Sequence, residues 1–225
     1  MKRILPYLLL CVAGFVVSSC NDDDNTTTPT GLLYSYFPTN VGHEIIYDVS
    51  LITKNQFNGQ HDTDIYQMKE VIESVFIDNQ NRPTQRLERY RRNTSNDPWV
   101  ITDVWTSNLT ATWVEKKEEN IPYVKLVFPI TSNGSWNGNV LNTLDVKEYE
   151  YENIHEYDVI GGIAFDSTVT VLQSDFEDLF TKEFQIEKYA PGVGLIYKED
   201  IFILKDPSGI KEQRLYIETI SSWSN

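Results

Sequence analysis

Glu44-Ile45-Ile46-Tyr47-Asp48-Val49-Ser50-Leu51 carries apolar side chains at Ile45, Tyr47, Val49 and Leu51, alternating with Glu44, Asp48 and Ser50. Successive side chains of a strand point to opposite faces, so a period of two marks a strand with one buried face. The same period recurs on both sides of this stretch. Tyr66, Met68, Ile72 and Phe76 share one face of a second run, and Val124, Leu126 and Phe128 alternate in a third. Val169 and Val171 mark a shorter run. Leu195, Tyr197, Ile201 and Ile203 share a face near the end, and Leu215 and Ile217 follow.

Between these runs lie residues that favour turns. Asp206-Pro207-Ser208-Gly209 has the chemistry of a hairpin connection. Further breaks fall at 79–83, 93–98, 132–135 and at Pro191-Gly192. Many strands at this spacing predict a mainly all-β domain, an antiparallel meander curled into a barrel or half-barrel. One stretch reads differently. Ser174-Asp175-Phe176-Glu177 fits a capping box, and Phe176, Leu179, Phe180 and Phe184 fall at helical spacing. A single short helical turn feeding a strand is expected there.

The N-terminus is an address. Lys2 and Arg3 precede an apolar stretch from Ile4 to Val17 that is too short to span a membrane, since a spanning helix needs about 20 apolar residues. It ends in Val17-Ser18-Ser19-Cys20, which resembles the bacterial lipobox. That resemblance implies cleavage before Cys20 and acylation of the cysteine, which anchors the chain to a membrane through several acyl chains (palmitate among them). The plain alternative is an ordinary signal peptide with a chance cysteine. Residues 1–19 are thus read as signal peptide, 20–31 as lipidated cysteine and disordered tether, and 32–225 as one β-rich domain. In the tether, Asp22, Asp23 and Asp24 resemble the acidic export signal of surface lipoproteins of a Gram-negative phylum that captures glycans. The implied location is the outer membrane, exposed at the cell surface. A solvated spacer would have the same composition.

Composition narrows the function classes. Without Lys2 and Arg3, 17 basic residues face 33 acidic ones, a net charge of −16. Such a surface repels phosphate backbones, so nucleic acid is not an expected partner. Cys11 leaves with the signal peptide and Cys20 is acylated, so the folded domain has neither disulfides nor a cysteine nucleophile.

Two further segments carry a family resemblance. Tyr36-Phe37-Pro38 with Val41-Gly42 and Tyr47, and the late Lys188-Tyr189-Ala190-Pro191-Gly192-Val193-Gly194-Leu195, resemble a group of surface-type lipoproteins of unknown activity. Ile45-Ile46 stand where those relatives carry an aromatic. The resemblance implies a β-rich domain over residues 34–224 and supplies no activity. Physically, Gly192 and Gly194 permit positive φ or close backbone approach where a strand begins.

Candidate chemistry is sparse. His61-Asp62-Thr63-Asp64 clusters ligand types in what reads as a polar loop, but without the spacing of a zinc or calcium motif. His43 and His155 are isolated, and no Gly-x-Ser-x-Gly elbow occurs. Carboxylates cluster at Glu115, Glu118 and Glu119 near Trp113, and at Glu148, Glu150, Glu152 and Glu156; clusters arise easily in so acidic a chain. Neither a metal, a cofactor nor a catalytic residue is expected, and a glycoside-acting enzyme is the third-ranked reading. The first is a surface module for a glycan or protein partner. The second is a carrier of an apolar ligand, a lipid or lipoprotein acyl chain, which calls for a cavity of about 300 Å³ or more lined by apolar faces. Trp136, with Asn137 and Asn139, lies in a Gly- and Asn-rich segment and is the residue first expected to touch a ligand. It either plugs a barrel end or offers a stacking face with amides for sugar hydroxyls.

Overall fold

A computed structural model describes residues 33–225; the expected signal peptide, the expected lipidation site Cys20 and Asp22–Asp24 lie outside the described residues. The described residues form one unit. A 3₁₀ turn (Tyr34–Tyr36) is followed by twelve strands: β1 (Glu44–Asn55), β2 (Gln60–Ile77), β3 (Pro83–Arg92), β4 (Val100–Leu109), β5 (Trp113–Glu118), β6 (Ile121–Val127), β7 (Ser135–Asn137), β8 (Glu148–Ile160), β9 (Ile163–Glu177), β10 (Thr181–Ala190), β11 (Gly194–Asp206) and β12 (Gly209–Ser224). All pair antiparallel in one sheet of order β6-β5-β4-β3-β2-β1-β12-β11-β10-β9-β8-β7. Every neighbour in that order is consecutive in sequence except β1 and β12. The chain is therefore a meander whose first and last strands join.

The sheet curls until its two edges meet. Across that seam the Val124 N–H donates to Gly138 O at 2.9 Å. The Trp136 indole N–H donates to Val124 O at 2.9 Å, and the Tyr151 hydroxyl bonds both backbone groups of Val127. Side chains do there what a strand ladder does elsewhere, and the edge groups are not left for another chain to pair with. The barrel expected from the period-two pattern is what the chain forms.

The leading stretch behaves as read: Ile45, Tyr47 and Val49 are buried. In β2 the pattern breaks. Met68 and Ile72 are buried, but a bulge between Ile72 and Ser74 inserts one residue and shifts the alternation, leaving Phe76 exposed. In β11 the fully buried residue is Ile196, not a member of the Leu195–Tyr197–Ile201–Ile203 face. A bulge at the Lys188/Tyr189 position of the β10–β11 pairing accounts for the change of face.

The helical turn expected at 174–180 is not formed. β9 runs through Glu177 and β10 starts at Thr181. Asp178 closes the hairpin instead, its carboxylate accepting the N–H groups of Phe180 and Thr181 at 2.8 and 2.6 Å. Phe176, Leu179 and Phe180 stand exposed around that tip, so their spacing reflects a hairpin end rather than a helix face. His61-Asp62-Thr63-Asp64 is also corrected: these residues belong to β2, paired with Lys54 back to Leu51 in a long hairpin. Backbone pairing carries that hairpin beyond its apolar residues.

One end of the barrel is closed by the N-terminal segment. Tyr36 is fully buried there, its hydroxyl 2.9 Å from Ser167 Oγ, and Gly192 N–H donates to Ser35 O at 2.7 Å. Gly194 has φ +95°, and a Cβ on it would lie 3.3 Å from Pro38 Cδ. The late glycine thus serves both requirements read from its position, a left-handed backbone and the close approach of Pro38.

Candidate functional site: a charged chamber inside the barrel

The interior is not a filled apolar core. Two apolar clusters pack the closed end and the wall, one around Tyr36, Leu126 and Val169 and one around Tyr47, Ile196 and Ile220. Beside them lies a chamber of about 360 Å³. Phe37, Pro38, His43 and Val193 form part of its floor, and the exposed Thr102 and Arg214 stand at its other end.

Its lining comes from alternation that the apolar reading skips. On β2, Glu70 sits between Met68 and Ile72; on β3, Arg89 between Leu87 and Arg91; on β12, Glu218 between Tyr216 and Ile220. On β5, Lys116 and Glu118 continue the parity of Val114, and on β10 Glu187 continues that of Tyr189. Lys125 and Lys198 complete the set. At Glu70 and Glu218 the signal was present in the sequence, as a charge whose neighbours two residues away are both apolar.

Most of these charges are paired. Lys125, 4 % exposed, reaches Glu187 at 2.8 Å and Glu118 at 3.2 Å. Lys198 lies 3.5 Å from Glu187, whose other oxygen accepts the Tyr189 hydroxyl at 2.7 Å. Lys116 grips both oxygens of Glu70, at 2.8 and 3.0 Å. Burial opposes the charge on Glu187, but Lys125 and Lys198 outweigh it and hold the carboxyl below its usual range. Burial is likewise overcome at Glu118 by Lys125, Lys198 and Lys116. Lys125, despite burial, is held well above its usual range by Glu118 and Glu187.

Two groups stand apart. Glu218 is 3 % exposed and accepts the Tyr216 hydroxyl at 2.6 Å, with no cation at ion-pair distance among the described residues. Burial pushes its pKa up, and Arg89, Lys198 and the Tyr216 bond only partly counter that. Arg89 is 11 % exposed at its side chain and stacks on Trp105, 3.7 Å from the ring centre. Its Nε has no hydrogen-bond partner, lying 3.6 Å from the Glu70 carboxylate that Lys116 already occupies. Leaving a buried donor unpaired costs about 1–3 kcal/mol, more for a charged group. Trp113 Nε1 and Gln173 Nε2 also lack partners, but neither residue lines the chamber.

The residues singled out from sequence fall elsewhere. Trp136 is 9 % exposed in the seam, its ring against Tyr149 and Tyr151 at centroid distances of 5.9 and 4.7 Å. Asn137 Oδ1 accepts the N–H groups of Asn139 and Lys147 at 2.9 and 3.1 Å, and Asn139 Nδ2 donates to Asp145 O at 2.7 Å. An outward stacking platform is therefore not what this segment makes. Burying the indole closes the barrel, and both amides are spent holding the adjoining loop. Of the acidic cluster, Glu115 pairs with Arg82 at 2.8 Å, Glu119 accepts the Trp105 indole N–H at 3.1 Å, and Glu118 alone lines the chamber. His43 lies within the closed end, its Nε2 2.8 Å from Val193 O and its Nδ1 2.7 Å from Asn225 Oδ1, both of them acceptor oxygens. Among the described residues no group of three His, Cys, Asp or Glu is placed to hold a metal ion.

No protein-family model matches the chain, and no curated protein does. Two solved structures resemble it. One is an inferred lipoprotein of Parabacteroides distasonis, at TM-score 0.44 and 11 % identity over 84 % of this chain and 98 % of that one. The other is an inferred exported protein of Bacteroides fragilis with a YmcC-like fold, at TM-score 0.37 and 11 % identity over the same shares. Neither likeness is close enough to assign a function.

Proposed function

We propose that this chain is a lipid-anchored envelope protein whose barrel binds a small polar ligand in its chamber. The anchor rests on the lipobox-like Val17-Ser18-Ser19-Cys20, and display at the outer surface on Asp22-Asp23-Asp24. The binding role rests on one observation: a chamber of about 360 Å³ lined by buried charges, one of which has donors to spare. Burying ion pairs contributes less to stability than packed hydrocarbon of the same volume would. Places where a core departs from the locally favourable choice are where function is expected to sit.

The lining selects among the readings. A hydrocarbon chain in this space would strip water from Glu70, Glu218 and Arg89 without returning hydrogen bonds, a cost of several kcal/mol. The volume is what the apolar-carrier reading calls for, and Met68, Ile72, Leu87 and Leu195 give it an apolar wall, but the charges set among them oppose a purely hydrocarbon ligand. A ligand rich in hydroxyl groups, such as one sugar unit of a glycan, returns those bonds. Binding is the reading favoured by Glu118 and Glu187, which are tied to Lys125 and held ionised. Glu218 is the chamber glutamate whose pKa burial raises, and a glycoside-acting site would have to take its acid there.

Amide shift mapping tests this. The full chain in non-ionic detergent, titrated with mono- and disaccharides and small acids, should show changes centred on Tyr66, Arg89, Trp105 and Tyr216. Changes confined to the outer face of the barrel, or none with any probe, would refute it.

A further inference from the structure

We propose that Arg89 is the seat of a carboxylate, and that the chamber takes a small organic acid with one carboxylate, whose other polar groups are hydrogen-bond donors. The inference rests on the chamber being a ligand site and names what that ligand must carry.

The first argument is geometric. Arg89 occupies an inward position of β3, and its guanidinium lies on Trp105, which fixes the plane of the fork. Among the described residues no acceptor bonds its Nε or Nη1, and Nη2 meets only the Met68 thioether, a weak acceptor. A planar guanidinium, held rigid with its donors unspent, matches the two oxygens of a carboxylate.

The second argument is charge. Lys116 is matched by Glu70, Lys125 by Glu187 and Glu118, and Lys198 by Glu187. At the open end Arg91 is matched by Asp64 and Arg214 by Asp200. Arg89 is the cation left over, with only a shared contact to Glu70 at 3.6 Å. The four chamber cations, Lys116, Lys125, Lys198 and Arg89, only equal its four glutamates, so a single carboxylate on the Arg89 fork is the most anion the chamber seats. A phosphate dianion would meet four chamber glutamates with a single free cation to hold it. Glu218, with no cation paired to it, and Asp103 near the open end supply acceptors for the ligand's donors. Hydroxyls of a sugar acid and the ammonium of an amino acid both meet that requirement, and the probes below separate them.

The test uses tryptophan fluorescence, because Trp105 touches Arg89. The full chain in non-ionic detergent is titrated with D-glucuronate, L-serine and D-glucose, as wild type and as Arg89→Met and Arg89→Lys. Arg89→Met keeps a stem over Trp105 and leaves Glu70 with Lys116, so the barrel should fold. Saturable binding of glucuronate or serine is expected, with glucose at least about tenfold weaker and Arg89→Met lowering the acid's affinity by about tenfold or more. Arg89→Lys should lose affinity too, since an ammonium cannot fork. The stronger acid identifies the source, sugar acid or amino acid. Three results would overturn the assignment: glucose binding as well as both acids, undiminished acid binding by a folded Arg89→Met, or no binding of either acid. The comparison of acid with glucose needs no variant, so it stands even where Arg89→Met misfolds. If glucose shifts the Arg89 and Trp105 amide signals while the acids do not, the carboxylate assignment fails and the chamber reading survives. If every probe shifts only outer-face signals, the chamber reading itself fails.

Discussion

The Tyr151 hydroxyl straddles the backbone of Val127, donating to its carbonyl oxygen at 2.7 Å and accepting from its N–H at 2.8 Å. One side chain on β8 thereby satisfies a donor and an acceptor on the edge strand β6, which has no ladder on that side. Tyr151→Phe keeps the ring and removes both bonds. It should cost about 2 kcal/mol in urea unfolding, the penalty of two strand groups left unmade and partly rescued by water. Faster exchange of the Val127 amide should accompany the loss. Tyr157→Phe, at an exposed position, should change neither.

Trp136 closes the same seam by a different chemistry. Trp136→Ala removes a buried indole from between Tyr149 and Tyr151 and should cost about 3–5 kcal/mol. Trp136→Phe should cost clearly less, because it keeps the ring contacts and loses only the bond to Val124 O. Equal, small losses for both would mean the seam does not depend on this residue.

The barrel was legible in the sequence because one-sided burial leaves a period-two trace, clear at Ile45, Tyr47 and Val49. Bulges are not legible in that way. The extra residue near Glu73 moves Phe76 to the outside without altering the composition of β2. The aromatic run at 176–184 imitated a helix because a hairpin tip gathers Phe176, Leu179 and Phe180 as a helix face would. The chamber was missed for a simpler reason. Counting only apolar residues passes over Glu70 between Met68 and Ile72, although it shares their face. Which charges pair, and that Arg89 is left over, depends on contacts between strands far apart in sequence. Lys116 and Glu70, for example, are separated by 46 residues.

Stability should respond to pH in two opposite ways. Glu187 titrates below the ordinary glutamate value of 4.5 in the folded state, so its contribution is present above pH 4.5 and is lost as pH falls below it. Glu187→Gln should therefore destabilise by about 3 kcal/mol near neutral pH, the cost of breaking a buried pair, with the gap closing on acidification. Glu218 has the opposite sign. Its pKa is raised, so its favourable contribution is present below 4.5 and is lost as pH rises through the folded value. The groups facing it are Arg89, Lys198, Tyr216 and Glu70. Glu218→Gln should be at least as stable as wild type near neutral pH. Urea midpoints of the three proteins across pH 4–8 (roughly that range) check both signs.

The anchor makes its own prediction. Cys20→Ala should abolish labelling by an acyl-chain probe and release the protein to the soluble fraction, since no second lipid signal is evident in the sequence. Replacing Asp22, Asp23 and Asp24 by Ala should leave the protein membrane-bound but hidden from external protease. Equal protease access with and without the acidic run would reduce it to a spacer.

The content of the chamber, read in a high-resolution electron-density map of crystals of the full chain, tests the central claim most directly. The account predicts an open polar chamber holding water or a small acid, with an oxygen bonded to the Arg89 guanidinium and another to Glu218. A chamber collapsed around its side chains, or one filled by a hydrocarbon chain lying against Met68 and Leu87, would contradict it.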